Sequence, residues 1–142
     1  MPEPTYSEAR AKLTADGGFA VLLRAGEDLV AGEVVYIPQT GTGNDGEVRK
    51  APTSGDMPIG VVYASAKVTE GVWVVTNGRT PVLPQDNATA ARGNVIFTSA
   101  NTAGRVEQSA TAPVNDHWRE VGHYLVNGTG NGVAAMAILH FN

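Results

Sequence analysis

The sequence predicts an all-β protein, a small sandwich or barrel built from two similar four-strand halves, with an extended N-terminal arm. The first supporting observation is that 17 glycines and 8 prolines separate short valine-rich runs at intervals of about ten residues. The second is repetition, because one order of glycines and apolar runs occurs twice after Leu29. At 142 residues, one domain can bury a core without disulfides or structural metals, and the chain contains no cysteine.

Each predicted strand is a short run of β-branched or aromatic residues bounded by turn residues. In chain order the strands are Phe19–Arg24, Glu33–Pro38, Glu47–Ala51, Ile59–Tyr63, Val72–Thr76, Thr80–Leu83, Asn94–Thr98, Arg105–Ser109, Trp118–Val126 and Val133–Phe141. The fifth and sixth are predicted to form a hairpin, because Asn77 and Gly78 between them supply the positive φ angles of a type I′ turn. Pro81 has no N–H to donate, so the ladder of this hairpin is expected to end early or to lie at an edge.

The first 18 residues are predicted to be the arm, and residues 19–142 a single β domain. Pro2 and Pro4 disfavour regular structure at the start of the chain, and Ser7–Leu13 could form two turns of helix. Asp16-Gly17-Gly18 separates this segment from the first strand. A segment this short does not maintain a helix alone, so the arm is either disordered or ordered against a partner.

The internal repeat divides the β domain into halves of about 30–87 and 88–142. The first pass reads AGEVVYI, GEV, IGV and GVWV, and the second reads RGNVIF, GRV, VGH and GVAA. The glycines recur at a nearly constant spacing of about 60 residues, which duplication explains better than chance. Gly60 and Gly122 lie inside apolar runs, where a glycine is costly unless another backbone or ring comes close, so both are predicted to mark bends. Packing the two halves face to face would cover the apolar face of each.

Several functions are disfavoured by composition and motif context. GTGNDG, at residues 41–46, has the glycine spacing of a dinucleotide-binding loop, but a helix must begin there to bind phosphate. The residues that follow, Glu47–Pro52, predict a strand instead, which favours a plain hairpin loop. The net charge of −4 with scattered Lys and Arg makes nucleic acid an unexpected partner. Without a secretory signal or a long apolar run, we expect a soluble, unexported protein that does not bind membranes.

Catalysis and metal binding are also not expected. His117, His123 and His140 include no pair at the i, i+4 spacing of a helical ligand couple or the i, i+2 spacing of a strand couple. Asp116 beside His117 suggests a catalytic triad, but no serine lies in a G-x-S-x-G motif. The sequence therefore predicts a protein that is not an enzyme and carries neither cofactor nor metal.

Aromatic residues favour binding to a protein partner, since large aromatic side chains contribute much of the affinity of interfaces. Trp73 is predicted to lie in the core, whereas Trp118, which follows a proline-containing loop, is the better interface candidate. The predicted capsid or subunit contacts are Tyr6, Leu13, Trp118, Arg119 and His123. For His123, simple packing stays open as the alternative.

Three segments resemble the small head-decoration, or cement, proteins of tailed bacteriophages, a family also labelled as phage proteins of unknown function. They are AGEDLVAGEVVYI, IGVVYASAKVTEGVWVVTNGR and HWREVGHYLVNGTGNGVAAMAILHFN. The resemblance covers about residues 26–142 and rests on strand and glycine order, not on a catalytic signature. It implies a compact homotrimer that binds the major capsid protein on the outer surface of the virion and stabilises the shell, with the arm reaching over a neighbour. The alternative is a carbohydrate- or receptor-binding module of a virion spike or fibre, with Trp118 and Arg119 near Asp116 as its binding place.

Overall fold

The computed structural model describes residues 10–39, 46–111 and 117–141. These residues form ten β-strands and one turn of 3-10 helix at His117–Arg119. The strands are β1 (Ala11–Leu13), β2 (Gly18–Ala25), β3 (Val34–Tyr36), β4 (Glu47–Lys50), β5 (Gly60–Val62), β6 (Gly71–Val82), β7 (Val95–Thr98), β8 (Val106–Ser109), β9 (Glu120–Tyr124) and β10 (Ala135–Leu139). The predicted all-β class is confirmed. Within the described ranges, no helix is long and apolar enough to cross a membrane.

Strands β2 to β6 close into the first of two small barrels, which we call the first unit. Antiparallel pairs join β4 to β3, β3 to β5 and β5 to β6. Strand β2 completes the ring, because it pairs antiparallel with β6 and parallel with β4. Alternate residues of a strand point to the same side, so every second residue reaches the interior. The interior residues are Ala25, Leu29, Val35, Val48, Val62, Ala66, Val72 and Val74.

The second unit begins in the same strand that ends the first. Strand β6 is 12 residues long, and its C-terminal part pairs with β10. Strands β9, β7 and β8 follow in that order, and a parallel bridge from Val106 of β8 to Pro84, just beyond β6, closes the ring. The two units are therefore joined by a shared strand, in a head-to-tail order.

The predicted repeat corresponds to the pairing of the strands. The order β4-β3-β5-β6 of the first unit recurs as β8-β7-β9-β10 in the second. Val35 lies opposite Gly60, and Ile96 lies opposite Gly122, so each glycine has the same neighbour position. The two halves share their topology and also the register of their central pair.

Close backbone contact explains why both central strands contain a glycine. A Cβ added to Gly60 would lie 2.7 Å from the carbonyl oxygen of Val75, and one added to Gly122 would overlap the carbonyl of Ile138. Each glycine thus lets the last strand of its unit cross closely over the central strand. The prediction that another backbone approaches these glycines is confirmed.

The last strand of the second unit is displaced from its expected position. Val62 lies opposite Val74 in the first unit, and Tyr124 lies opposite Ala137 in the second. The residue of β10 that occupies this position is therefore two residues further along the chain than the alignment of the repeated glycines predicts. A shift of two residues keeps the same side chains facing inward, because side chains alternate with a period of two.

The hairpin predicted at Asn77 and Gly78 is wrong, because β6 runs through both residues without a turn. Gly78 does have a positive φ, of 88°. Its role is close approach: a Cβ there would lie 2.6 Å from the carbonyl oxygen of Gly17, at the start of β2. Asn77 and Gly78 thus have the sequence of a hairpin turn, but in the structure the glycine allows β6 and the chain at Gly17 to come close together.

Proline within β6 is accommodated by the register of its neighbour. Pro81 lies opposite Met136 of β10, and the carbonyl of Met136 accepts a hydrogen bond from the N–H of Leu125 on its other side. Pro81 therefore faces a position that needs no N–H from it. The ladder of β6 with β10 continues through the proline, whereas the ladder that was expected to end early or to lie at an edge belongs to a hairpin that does not form.

The N-terminal segment, which could form two turns of helix over Ser7–Leu13, contains a short strand in its described part. Ala11–Leu13 form β1, which pairs antiparallel with β2, and Thr14 Oγ1 accepts a hydrogen bond across the turn between them. The Lys12 ammonium lies 4.3 Å from the ring centroid of Trp73, which is partly buried. This contact holds β1 against the first unit. The predicted arm boundary at residue 18 thus falls within the hairpin that β1 and β2 form, and residues 1–9 lie outside the described ranges.

Candidate contact surfaces

The first surface surrounds Trp118, which lies in the 3-10 turn and precedes a strand that starts at Glu120. Its indole N–H donates to the carbonyl oxygen of Gly55 at 2.8 Å, and its side chain is 45% exposed. Gly55 also lines a cleft of about 410 Å³, with Ile37 and Met57 on its walls. Both are more than half exposed, at 58% and 55%. We call Ile37, Met57 and Trp118 the cleft surface.

Arg119 follows Trp118 but makes its contacts within the second unit. Its guanidinium donates to the carbonyl of Thr98 and lies 3.3 Å from the carboxylate of Glu107. The guanidinium carbon is 5.4 Å from the ring centroid of Phe97, and the side chain is only 14% exposed. These contacts connect β7, β8 and the turn before β9. The role that the structure gives Arg119 is internal to the chain, whereas its role as a contact residue stays a prediction.

Comparison of the two units shows why the cleft is open. Met57 lies three residues before Gly60, and Arg119 lies three residues before Gly122, so the two residues are equivalent in the repeat. Tyr36 and Phe97 are equivalent in the same way. In the second unit, Arg119 covers the aromatic ring. In the first unit, Tyr36 and the exposed Met57 line the cleft. The cleft surface thus exposes the apolar side chain of Met57, whereas the equivalent Arg119 covers the aromatic ring in the second unit.

The second surface extends from β1 and β2 across β6 to β10 and β9, and it includes Leu13 and His123. Leu13 is 79% exposed and lies opposite Phe19, which is also exposed. Phe19 is opposite Asn77 of β6, and two residues later Arg79 is opposite Ile138. Ile138 in turn is opposite His123. We call this face, with His140 beside it, the junction surface; it brings together two of the predicted contact residues.

The equivalent face of the first unit is buried inside the molecule. Its three central valines have no exposed area and cluster with second-unit residues such as Val121 and Leu139. In the second unit the same positions are more open. The equivalent sets are Val34, Val61 and Val75 in the first unit and Val95, His123 and Ile138 in the second. The second unit thus carries its own copy of the joining face on the side away from the first unit, and this copy is partly exposed.

The structure brings together two histidines that the sequence did not identify as a couple. Nδ1 of His123 lies 3.0 Å from Nε2 of His140, with ring centroids 4.8 Å apart and planes tilted by 39°. The pair arises from the pairing of β9 with β10, so spacing rules for a single strand or helix miss it. His117 lies elsewhere and contacts Glu120 at 2.9 Å. No cluster of three or more His, Cys, Asp or Glu residues suited to a metal occurs in the part of the chain that the structure describes.

The remaining sequence-based candidates have different outcomes. Tyr6 and Asp116 lie outside the described residues. Gly46, the last glycine of GTGNDG, leads directly into β4. The helix that a pyrophosphate-binding loop would need is therefore not there, and the hairpin-loop interpretation of this motif is favoured.

Comparison with known proteins identifies the fold. No protein-family model and no curated protein matches the chain. A solved structure does match, namely the crystal structure of the head fiber gp8.5 N base in bacteriophage phi29. The match has a TM-score of 0.58 at 15% sequence identity, and it covers 85% of this chain and 92% of that chain. At this identity the likeness shows a shared fold.

Proposed function

We propose that this chain is a structural protein of a tailed-bacteriophage virion, which binds the outer surface of the assembled head as a decoration, or cement, protein. The observation that supports this proposal most is the fold, which 85% of the chain shares with the base of a phage head fiber. The resemblance of its strand and glycine order to head-decoration proteins supports the same assignment independently. The partner is the major capsid protein.

The cleft surface has the properties of a docking site on such a shell. Ile37, Met57 and Trp118 present apolar area, and covering that area stabilises a complex by about 25 cal/mol per Å². The hydrogen bond from Trp118 to Gly55 fixes the indole before binding, so little side-chain entropy is lost on docking. Tryptophan is among the residues that most often dominate interface energies. A protein that binds only the assembled shell stabilises it by mass action.

The junction surface is the proposed contact between copies of the chain in a homotrimer. Leu13 and Phe19 expose apolar area on one side of it, and Ile138 does so on the other. His123 lies opposite Ile138. The two surfaces lie on different elements of the chain, so contact with the shell and contact between subunits use different residues.

A binding experiment on purified heads tests the proposal. Empty shells of the major capsid protein from the same virus are incubated with the chain and sedimented, and occupancy is measured. We expect Met57→Asp to lower occupancy, because it adds a charge to the apolar cleft surface. Val126→Asp is the matched control, since Val126 is also exposed and lies in the second unit. Equal occupancy of both variants, or no binding by the parent chain, would overturn the proposal.

The predicted arm requires a separate truncation. Deleting residues 1–9 leaves β1 and its contact between Lys12 and Trp73 intact, whereas deleting residues 1–18 would remove both. If the arm reaches over the shell, the shorter deletion should reduce occupancy while the unfolding temperature stays that of the parent. Unchanged occupancy would remove the arm from the proposal and leave the cleft surface in it.

The second candidate is a carbohydrate- or receptor-binding module of a virion spike or fibre, which the match to a fiber base favours. In this case Trp118 would stack on the ligand. Because Arg119 contacts Thr98 and Glu107, Trp118 would be the main side chain of such a site. Specific binding on a glycan array, lost in Trp118→Ala, together with no binding to shells, would support this candidate over the first.

A further inference from the structure

We infer that His123 and His140 form a binding site for one divalent transition-metal ion, of the type of Zn²⁺, Ni²⁺ or Cu²⁺. The facing nitrogens are 3.0 Å apart. Because metal–imidazole bonds are about 2.0–2.1 Å long, two nitrogens on one ion lie about 2.9 Å apart at a right angle and about 3.4 Å apart at the tetrahedral angle. The observed separation falls within this range. The inference does not rest on the proposed role on the phage head, and the pair lies on the junction surface.

The two rings are oriented so that a third atom can join both nitrogens. The ring centroids are 4.8 Å apart and the planes are tilted by 39°, so the nitrogens face each other obliquely. In the metal-free chain the two facing nitrogens lie at hydrogen-bond distance, and the tautomers of the rings decide which of them donates. A metal takes the place of the donated hydrogen when the donating ring moves its proton to its far nitrogen, which leaves a lone pair on both facing nitrogens.

The backbone holds the pair in place. His123 lies within β9, and the N–H of His140, just after β10, donates to the carbonyl of Val121 at 2.8 Å. The two strands are paired directly beside them, with Leu139 opposite Gly122. Little ordering is therefore needed when an ion binds.

The barrel itself does not require a histidine at this place. The first-unit residue equivalent to His123 is Val61, which is fully buried, so the same strand position folds with an aliphatic side chain. His140 is exposed and His123 partly so, which lets water fill the remaining coordination positions. Imidazole nitrogen suits zinc, copper and nickel, whereas calcium and magnesium prefer oxygen ligands and should not bind.

Calorimetric titration of the full chain, prepared without a histidine tag, tests the site. With Zn²⁺ or Ni²⁺ we expect saturable binding of one ion per chain and a rise in unfolding temperature, and no binding of Mg²⁺. His140→Ala should lose this binding in the concentration range where the parent saturates. His117→Ala is the control, because His117 contacts Glu120 and not the pair; it should bind like the parent. His123→Gln provides a second disrupting variant, and circular dichroism confirms that each is folded.

Three results would overturn the inference: no saturable binding by the parent, unchanged binding in both disrupting variants, or binding lost in His117→Ala.

Discussion

Replacing Gly60 with alanine directly tests the way the first barrel closes. A Cβ at this position would lie 2.7 Å from the carbonyl oxygen of Val75 and would overlap the side chain of Val74. The carbonyl belongs to the backbone of β6, so it cannot rotate away as a flexible side chain would. Because both units share β6, any displacement of this strand would also disturb the second unit.

The expected cost follows from this overlap. Overpacking a well-packed core costs about 1–3 kcal/mol, and a clash with backbone places Gly60→Ala at the upper end, about 3 kcal/mol. For a chain of this size, each kcal/mol lowers the midpoint of thermal unfolding by about 3 °C. We therefore expect a decrease of roughly 9 °C, measured by circular dichroism, with a matching decrease in the free energy of unfolding from urea titration.

Gly130→Ala is the matched control for this substitution. The nearest atom to a Cβ on Gly130 is a methyl carbon of Val133 at 3.5 Å, an ordinary contact, so the free energy of unfolding should change by less than about 0.5 kcal/mol. Gly122→Ala, at the equivalent position of the second unit, should be at least as costly as Gly60→Ala. If Gly60→Ala unfolds at the temperature of the parent, the close crossing of β5 by β6 is wrong, and so is the barrel description.

Three further substitutions or conditions test other parts of the fold. Burial raises the pKa of Tyr124 well above its ordinary value of about 10. The unfolded chain therefore loses this proton at lower pH than the folded chain does, and the free energy of unfolding should decrease as pH rises above about 10. In an ultraviolet absorbance titration, this tyrosine should ionise only when the chain unfolds. Arg119→Ala should lower the free energy of unfolding in urea by about 1–3 kcal/mol, because it removes charge-assisted hydrogen bonds. Lys67→Ala, whose ion pair with Asp28 is exposed on both sides, should cost less than about 1 kcal/mol. Equal costs would contradict this description of Arg119. The hydroxyl of Thr80 is buried without a partner among the described residues, so Thr80→Val should be neutral or stabilising, and a loss above about 1 kcal/mol would show that the hydroxyl is bonded.

The strand positions could be predicted because their signal is local. Every described strand from β2 to β10 overlaps a predicted run, since a strand with one face in a core needs apolar residues at alternate positions. The repeat was also visible, because Gly60 and Gly122 are required by the same close crossing in each unit. Leu13 and Trp118 were predicted as contact residues, and both are exposed.

The features that were missed depend on contacts between distant residues. Gly78 has the sequence context of a hairpin turn, and only its approach to Gly17 shows why β6 continues through it. The short strand β1 has only three residues, all exposed, and it is held by pairing with β2 and by the contact between Lys12 and Trp73. The pairing of β9 with β10 brings His140 to β9, and no rule of spacing along one element finds such a pair.

Head-to-tail packing leads to one more prediction, about the open face of the second unit. Such packing always leaves one copy of the joining face uncovered, and terminal repeats commonly carry polar residues there. His123 takes the place of the buried Val61, while Ile138 remains apolar. His123→Val would give the junction surface the apolar character of the first-unit face, so the proposed trimer should form at a lower concentration than for the parent, as measured by the mass from light scattering. Val126→Ala, at an exposed site outside this face, should not change it. If His123→Val and the parent have the same mass at every concentration, His123 is not what limits association at this face, and the polarity of the face needs another explanation.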